Sequence, residues 1–329
     1  VKRLGLTFAW MAVVVVVGAA AVWFRDAVYG DRSQPAAATV YIVPPGATLT
    51  EVANGLQHAG VLAHPIAFRI LARLRGDEAA VQTGQFAFPA HQTSDEILRR
   101  LTNGTADALW VTFPEGFTAR QIGQRLEKRS LANAAAFERY AAHASLDVDG
   151  TRTPSLEGYL FPSTYLVPVG SSPERIARIL TDQFFRELPP DAAEKAKRFG
   201  LTVPQVITIA SLIEREAQAD DERALMAGVY YNRLRAGMPL EVDATIEYVF
   251  PEHHTVITRR DLAIDSPYNT YRHTGLPPTP IANPGKASID AAFAPVASPY
   301  LFYVYKGNGH HAFAKTLEEH NANVERYLH

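Results

Sequence analysis

The run from Leu4 to Phe24 is apolar throughout apart from Thr7, and it contains five consecutive valines, Val13 to Val17. A stretch of about 20 such residues is long enough to cross a bilayer as one helix. In lipid every backbone N–H and C=O must be bonded internally, so a helix is the only single-segment solution. Trp10 and Trp23 lie toward its two ends, where interfacial aromatics belong. Lys2 and Arg3 precede it, which keeps the N-terminus in the cytoplasm and puts the remainder outside. Arg25, Asp26 and Asp31 close it. The competing reading is a cleaved signal peptide, with Gly18 to Ala21 as small residues for a peptidase. Trp23 and Phe24 carry the apolar run past that point, which favours an uncleaved anchor. On either reading the bulk of the chain works in the periplasm or outside the cell.

The 329 residues are enough for two domains, and a 47% hydrophobic content supports a substantial core. A formal net charge of −2 argues against a nucleic-acid partner held by bulk electrostatics. Cysteine is absent, which removes disulfides, thiolate metal sites and a cysteine nucleophile.

Residues 31–39 read as a short polar, alanine-rich linker. Val40 to Val43 then reads as a strand, followed by a Pro44-Pro45-Gly46 turn and helices over Thr48 to Leu56 and Pro65 to Leu74. Gln85 to Phe88 alternates like a strand, and Thr93 with Glu96 predicts a capped helix over Asp95 to Leu101. A partial repeat is visible. Pro45-Gly46-Ala47-Thr48, Val52 and Leu56 are echoed by Glu115-Gly116-Phe117-Thr118, Ile122 and Leu126. The first copy resembles a LysM-type sugar-binding module, although both copies can equally be scaffolding. Pro154 to Pro168 is too broken for a helix, and its aromatics suit either a sugar-binding cleft or a packed crossing loop. Helices are expected over Glu174 to Glu187, Asp191 to Phe199, Arg259 to Ile264, Ala287 to Phe293 and Leu317 to Leu328, with a strand at Tyr300 to Val304. Ser266 to Gly285 is rich in Pro, Asn and Tyr and reads as irregular loop of the kind that positions functional groups.

The stretch from Val206 to Arg235 is the centre of the chain. Val206, Ile209, Ala210 and Ile213 repeat at helical spacing and lead into Glu214 and Glu216. A second helix, from about Asp221 to Arg235, completes a helix hairpin. A carboxyl at the end of a buried stripe is partly desolvated, which raises its pKa and suits it to proton transfer near neutral pH. The bland alternative is an amphipathic helix with solvated acids. The histidines form no H-x-x-x-H pair, so a metal site is not expected; His311 and His320 read as structural. There is no G-x-S-x-G, no P-loop and no G-x-G-x-x-G. Carboxylate chemistry on an extracytoplasmic, tethered scaffold remains, and glycoside cleavage fits it best.

The segments IASLIEREAQ, ER-x-x-x-A-x-V-x-x-NRL-x-x-GM-x-L-x-x-D-x-T and SPYNTY-x-x-x-GLPP-x-PI-x-NPG resemble the YceG-like family of endolytic murein transglycosylases. The likeness runs in order over Pro154 to His329, and the upstream segment is similar to that family's LysM-like subdomain. The resemblance implies a lyase that cuts peptidoglycan glycan strands internally between N-acetylmuramic acid and N-acetylglucosamine. The muramoyl 6-hydroxyl attacks C1 and leaves a 1,6-anhydro end. It further implies a single-pass inner-membrane protein with a periplasmic catalytic domain, terminating new strands near peptidoglycan synthases of the elongation machinery, with no cofactor and no metal.

Glu214 and Glu216 point about 160° apart around a helix, so they cannot share one role. Glu216 continues the Leu212 column and is followed by the small Ala217, which favours it as the acid/base, with Glu214 as runner-up and ion-pair partner of Arg215, Arg223 or Arg233. Asn232 reads either as a bridge to the glutamate or substrate, or as a helix cap. Asp243 and Thr245 read as groove residues or as a turn. Tyr268, Asn269 and Thr270, with Tyr271, form the expected substrate-binding loop. Glu157 reads as a second groove acid or a buried loop anchor. The expected architecture is α+β: an anchor over residues 1–30, the linker 31–39, a LysM-like αβ subdomain over 40–105 and a larger mixed α/β catalytic domain over 106–329, built on the helix hairpin. The alternatives are a tethered, non-catalytic peptidoglycan-binding protein and a true hydrolase.

Overall fold

A computed structural model of the chain describes residues 2–30, 38–104, 106–250 and 257–328. Most of the expected linker lies outside the described residues. The architecture is mixed α+β. The chain divides into two compact units, Val1–Val111 with Tyr165–Val169, and Thr112–Thr164 with Gly170–His329.

The first unit begins with α1 (Lys2–Arg25), which a π-helical turn, Asp26–Gly30, extends. Trp10–Gly30 is long and apolar enough to cross a membrane, with a mean hydropathy of 1.9. Val13 to Val17 are each more than half exposed, so no protein core accounts for their apolarity. The helix runs directly into the core of this unit. Ala27 and Val28 are buried there, Phe24 packs against it, and the Ser94 hydroxyl donates to the Ala27 carbonyl at 3.1 Å.

β1 (Thr39–Val43), α2 (Leu49–His58), α3 (Pro65–Arg75), β2 (Gly84–Phe88), α4 (Ser94–Asn103) and β3 (Ala108–Thr112) follow in order. β1 pairs antiparallel with β2, from Thr39 opposite Phe88 to Val43 opposite Gly84. Val52, Leu56, Phe68, Leu71, Ile97, Leu98 and Leu101 project from the three helices into one core with Phe86 and Phe88. Capping boxes close the first turns of α2 (Thr48 with Glu51) and α4 (Thr93 with Glu96), each cap contributing about 1 kcal/mol. The sheet order is β1-β2-β3-β4, and β4 is Thr164–Pro168. The aromatic, proline-bounded segment therefore ends in a strand rather than in loop. Its pairing partners lie far away in the chain, so local pattern carried no sign of it.

The second unit contains α5 (Ala119–Lys128), α6 (Ala134–His143), a small hairpin of Asp147–Val148 with Thr151–Arg152, α7 (Pro173–Glu187), α8 (Ala192–Arg198), α9 (Val203–Glu216), α10 (Arg223–Arg235), α11 (Asp243–Val249), α12 (Lys286–Phe293), β5 (Phe302–Gly307), β6 (His310–Ala314) and α13 (Leu317–Leu328). The second copy of the repeat keeps the local chemistry of the first. Gly116 takes the same positive φ as Gly46, and Thr118 caps α5 with Gln121 as Thr48 caps α2 with Glu51.

Every residue of α9 from Val206 to Ile213 is buried. Its two hydroxyls do not disturb this: Thr208 donates to Pro204 O at 3.0 Å, and Ser211 donates to Thr208 O while accepting the Ile281 N–H. A helix that is enclosed all round sits at the centre of its domain. α11 was not expected from the sequence. Its Asp243 start falls inside a segment read as a turn, and it has only two turns of helix. The stretch expected as a helix from Arg259 is reduced to a 3₁₀ turn, Asp261–Ala263.

Candidate active site

α9 ends on Glu216, where the Ala217 N–H closes the last turn on Ile213 O at 2.8 Å. The carbonyl end of a buried helix disfavours an anion. Burial pushes the Glu216 carboxyl up to about 7, and the negative charge of Asp243 adds to the rise. The Tyr303 hydroxyl, donating at 3.3 Å, the Ala244 N–H and the Arg215 charge pull the other way without overcoming it. The residue as a whole keeps a partly exposed surface, while its carboxyl is enclosed. Tyr303 comes from β5 and lies 3.0 Å from the hydroxyl of Tyr230 on α10. Asp243 opens α11 and accepts from the Tyr271 hydroxyl at 2.5 Å. Three helices, a strand and the SPYNTY loop thus meet at one carboxyl.

Glu214 has a different setting. Its carboxylate accepts the Gly285 N–H at 3.0 Å and lies 3.8 Å from Arg223, with the side chain 7% exposed. Arg223 also reaches Ser288 on α12 at 2.6 Å and Asp220 at 3.0 Å. A Cβ on Gly285 would collide with the Glu115 carboxylate, so a larger residue there would displace that side chain. Glu214 ties α9 to the NPG turn and α12. Of the three arginines expected to partner it, Arg223 does so, Arg215 pairs with Glu247 at 2.9 Å and Arg233 with Glu241 at 2.8 Å.

A cleft of about 1130 Å³ opens in the same unit. Arg120, Gln124, Arg215, Glu247, Tyr248 and Tyr268 line it, with Glu157 and Ala244. Glu216 is not part of that lining, but Arg215 precedes it in the chain and Ala244 supplies its backbone donor. Glu157 is the second carboxyl that burial raises to about 7. Its oxygens are committed: Ala119 N–H donates at 3.0 and 3.1 Å, the Asn283 amide at 2.9 Å and the Tyr248 hydroxyl at 3.3 Å. A fully bonded, buried carboxyl anchors a loop more readily than it exchanges a proton with a ligand.

The structure separates the other expected residues into two groups. Tyr268 lies on the cleft wall, its hydroxyl 2.8 Å from Thr279. Asn232, Thr245, Asn269 and Thr270 spend their polar groups inside the protein. The Asn232 amide donates to Ser298 O and Tyr300 O, both at 2.8 Å. Asn269 donates to Leu262 O and Ile264 O and accepts the Tyr271 N–H. Thr270 accepts the Val242 N–H and lies 3.0 Å from the Thr245 hydroxyl, and Thr245 and Asn269 are fully buried. Thr245, Asn269 and Thr270 fix the backbone that carries Asp243 and Tyr271, and Asn232 fixes the segment leading into β5, which carries Tyr303. His311 is buried on Glu222, which accepts its N–H at 3.0 and 2.9 Å, and His320 stacks on Phe302.

Sequence reasoning missed Tyr303, Tyr230 and Asn283. Tyr303 reaches Glu216 from 87 residues away in the chain and Tyr230 meets Tyr303, and no local pattern flags such a meeting. Asn283 lay inside the quoted PI-x-NPG motif, but its role as a bonding hub depends on what surrounds it.

The second unit thus holds two carboxyls raised to about 7, of which Glu157 is fully bonded and Glu216 sits beside Asp243 and Tyr303. Residues 41–326 match the family described as YceG-like. The chain is 33% identical over 304 residues to a protein of Bacillus subtilis named endolytic murein transglycosylase, covering 87% of this chain and 84% of that one. It is 30% identical to a Streptococcus pneumoniae protein of the same name, over 87% of this chain and 58% of the longer relative. The crystal structure of a yceG-like protein from Listeria monocytogenes superposes with a TM-score of 0.62 at 28% identity, over 87% of this chain and 98% of that one. The chain belongs to the YceG-like family.

Proposed function

We propose that the protein is a peptidoglycan lytic transglycosylase, a lyase that cuts glycan strands internally between N-acetylmuramic acid and N-acetylglucosamine. The observation that carries this reading is the Glu216 carboxyl, raised to about 7 by burial on a residue that as a whole keeps a partly exposed surface. Relatives named endolytic murein transglycosylase support it.

Glu216 in its neutral form protonates the glycosidic oxygen, and the C1–O bond breaks. The substrate's acetamido group stabilises the oxocarbenium, a substrate-assisted route that needs no second protein carboxylate. The muramoyl 6-hydroxyl then attacks C1, and its proton returns to the Glu216 carboxylate. No water is consumed, and the enzyme ends in its starting state. Burial raises the pKa of Glu216, and Asp243 and Tyr303 adjust it in opposite directions. Tyr268 and Glu157 belong to the cleft wall, and Asn232, Thr245, Asn269 and Thr270 position the loops around it.

Supporting a tether, α1 has the length and apolarity of a membrane span. The reading is a single-pass inner-membrane protein with its N-terminus in the cytoplasm, a LysM-like first unit and a catalytic second unit organised on the α9–α10 hairpin. It terminates nascent strands beside synthases of the elongation machinery. Mass spectrometry of the products from purified sacculi tests the activity. Soluble 1,6-anhydro products are expected; reducing ends would indicate a hydrolase, and retention on sacculi without release a binding protein.

The pH profile tests the assignment of Glu216 independently. The neutral carboxyl is the active form, so kcat/KM should fall as pH rises through about 7. Asp243→Asn removes a charge that raises this pKa and should move the alkaline limb to lower pH. Tyr303→Phe removes a donor that lowers it and should move the limb to higher pH. Limbs that stay in place in both variants would remove Glu216 from the acid's role.

A further inference from the structure

The outer face of α3 breaks the pattern of its neighbours. α2 presents Glu51, Asn54 and Gln57 to solvent. α3 instead presents Ile66, Ile70 and Leu74, which are 58%, 42% and 73% exposed. Spaced four apart, these residues form a ridge along one side of the helix, opposite Phe68, Leu71 and Ala72 in the core. The remaining long side chains of α3 are basic: Arg69, Arg73 and Arg75, with no acidic residue on the helix. Apolar residues on one face flanked by arginines are the composition of a helix that lies in a membrane interface.

A second observation names the occupant. α1 is joined to this unit by packing as well as by the chain. Trp23 meets the ring of His64, the residue that opens α3, edge to face at 6.1 Å. Phe24, Ala27 and Val28 belong to the same core as the inner face of α3. Tryptophan near the end of a span sits at headgroup level. The start of α3 is therefore held at that level.

We infer that Ile66, Ile70 and Leu74 rest in the interface of the bilayer that α1 enters, so that the first unit is a peripheral membrane-binding module as well as a domain on a tether. This rests on α1 spanning the bilayer, and the test separates the two claims. The natural chain has no cysteine, so single nitroxide labels can be placed without background. Full-length Ile70→Cys, Leu74→Cys, Val15→Cys and Glu51→Cys proteins are labelled and reconstituted in vesicles of phosphatidylethanolamine and phosphatidylglycerol. Collision with oxygen and with a water-soluble nickel chelate is then read by EPR. Labels at 70 and 74 should show an oxygen-to-nickel accessibility ratio several-fold above that at 51, and 15 the highest ratio. A deep label at 15 with 70 and 74 as nickel-accessible as 51 overturns the inference and leaves the span intact. An aqueous label at 15 overturns the span itself. Dipolar broadening between labels at 70, without oxygen preference, would assign the ridge to a second copy of the chain and also overturn the inference.

Discussion

Glu216→Gln should lower the release of 1,6-anhydro products from sacculi by about 10²–10⁴-fold, the usual contribution of a positioned general acid. The exchange is close to isosteric and replaces a carboxyl that burial already favours in its neutral form. The variant should therefore fold and bind strands like the parent. Its stability should diverge from the parent in one direction only. A carboxyl whose folded pKa is raised contributes stability that is fully present below its unfolded pKa of about 4.5 and is lost as pH rises through the folded value of about 7. Glutamine cannot ionise, so the variant should melt at the parent's temperature in mild acid and above it near pH 8. Glu214→Gln is the comparator. It weakens the tie to Gly285 and Arg223, so its effect should fall mainly on stability. Undiminished anhydro products from Glu216→Gln would move the acid's role to another carboxyl.

The largest structural effect is expected at Asn283. Its side-chain oxygen accepts the Gly158 and Leu160 N–H groups at 2.9 and 2.8 Å, and its amide donates to Phe117 O at 2.8 Å and to Glu157 at 2.9 Å. The residue is 1% exposed, so water cannot replace these partners. Each buried group left without a bond costs about 1–3 kcal/mol. Asn283→Ala should therefore destabilise the second unit by about 3–5 kcal/mol, which is a fall of roughly 10 °C in Tm for a domain of this size. Differential scanning calorimetry reads this directly. A loss below about 1 kcal/mol would show that the surrounding loops re-pair without the amide.

Much of the architecture was legible because it is set by short-range chemistry. The capping box at Thr93 and Glu96, the continuous apolar face of α9, the glycine of each Pro/Gly-type turn and the final helix all follow from residues within one or two turns of each other. β4 and α11 were missed for the opposite reason. β4 exists because β3 offers it a partner some 50 residues upstream, and α11 because Ile246 and Ala244 find a core to enter. The SPYNTY loop was expected to face substrate as a unit. Its Asn269 and Thr270 turn inward to bond backbone groups that irregular structure leaves unpaired, while Tyr268 and Tyr271 remain at the cleft wall and at Asp243.

The sequence by itself determined that the chain carries a segment able to span a membrane and a helix whose apolar stripe leads into two acids, with the motifs of one family. It also established that the two acids face opposite ways, because 100° per residue allows nothing else. Only the tertiary structure decided what each acid meets. Glu214 is drawn into an ion pair and a backbone bond, whereas Glu216 is enclosed beside Asp243 and Tyr303. Acidity depends on desolvation and on charges a few ångströms away, and those neighbours are brought together by folding from distant parts of the chain.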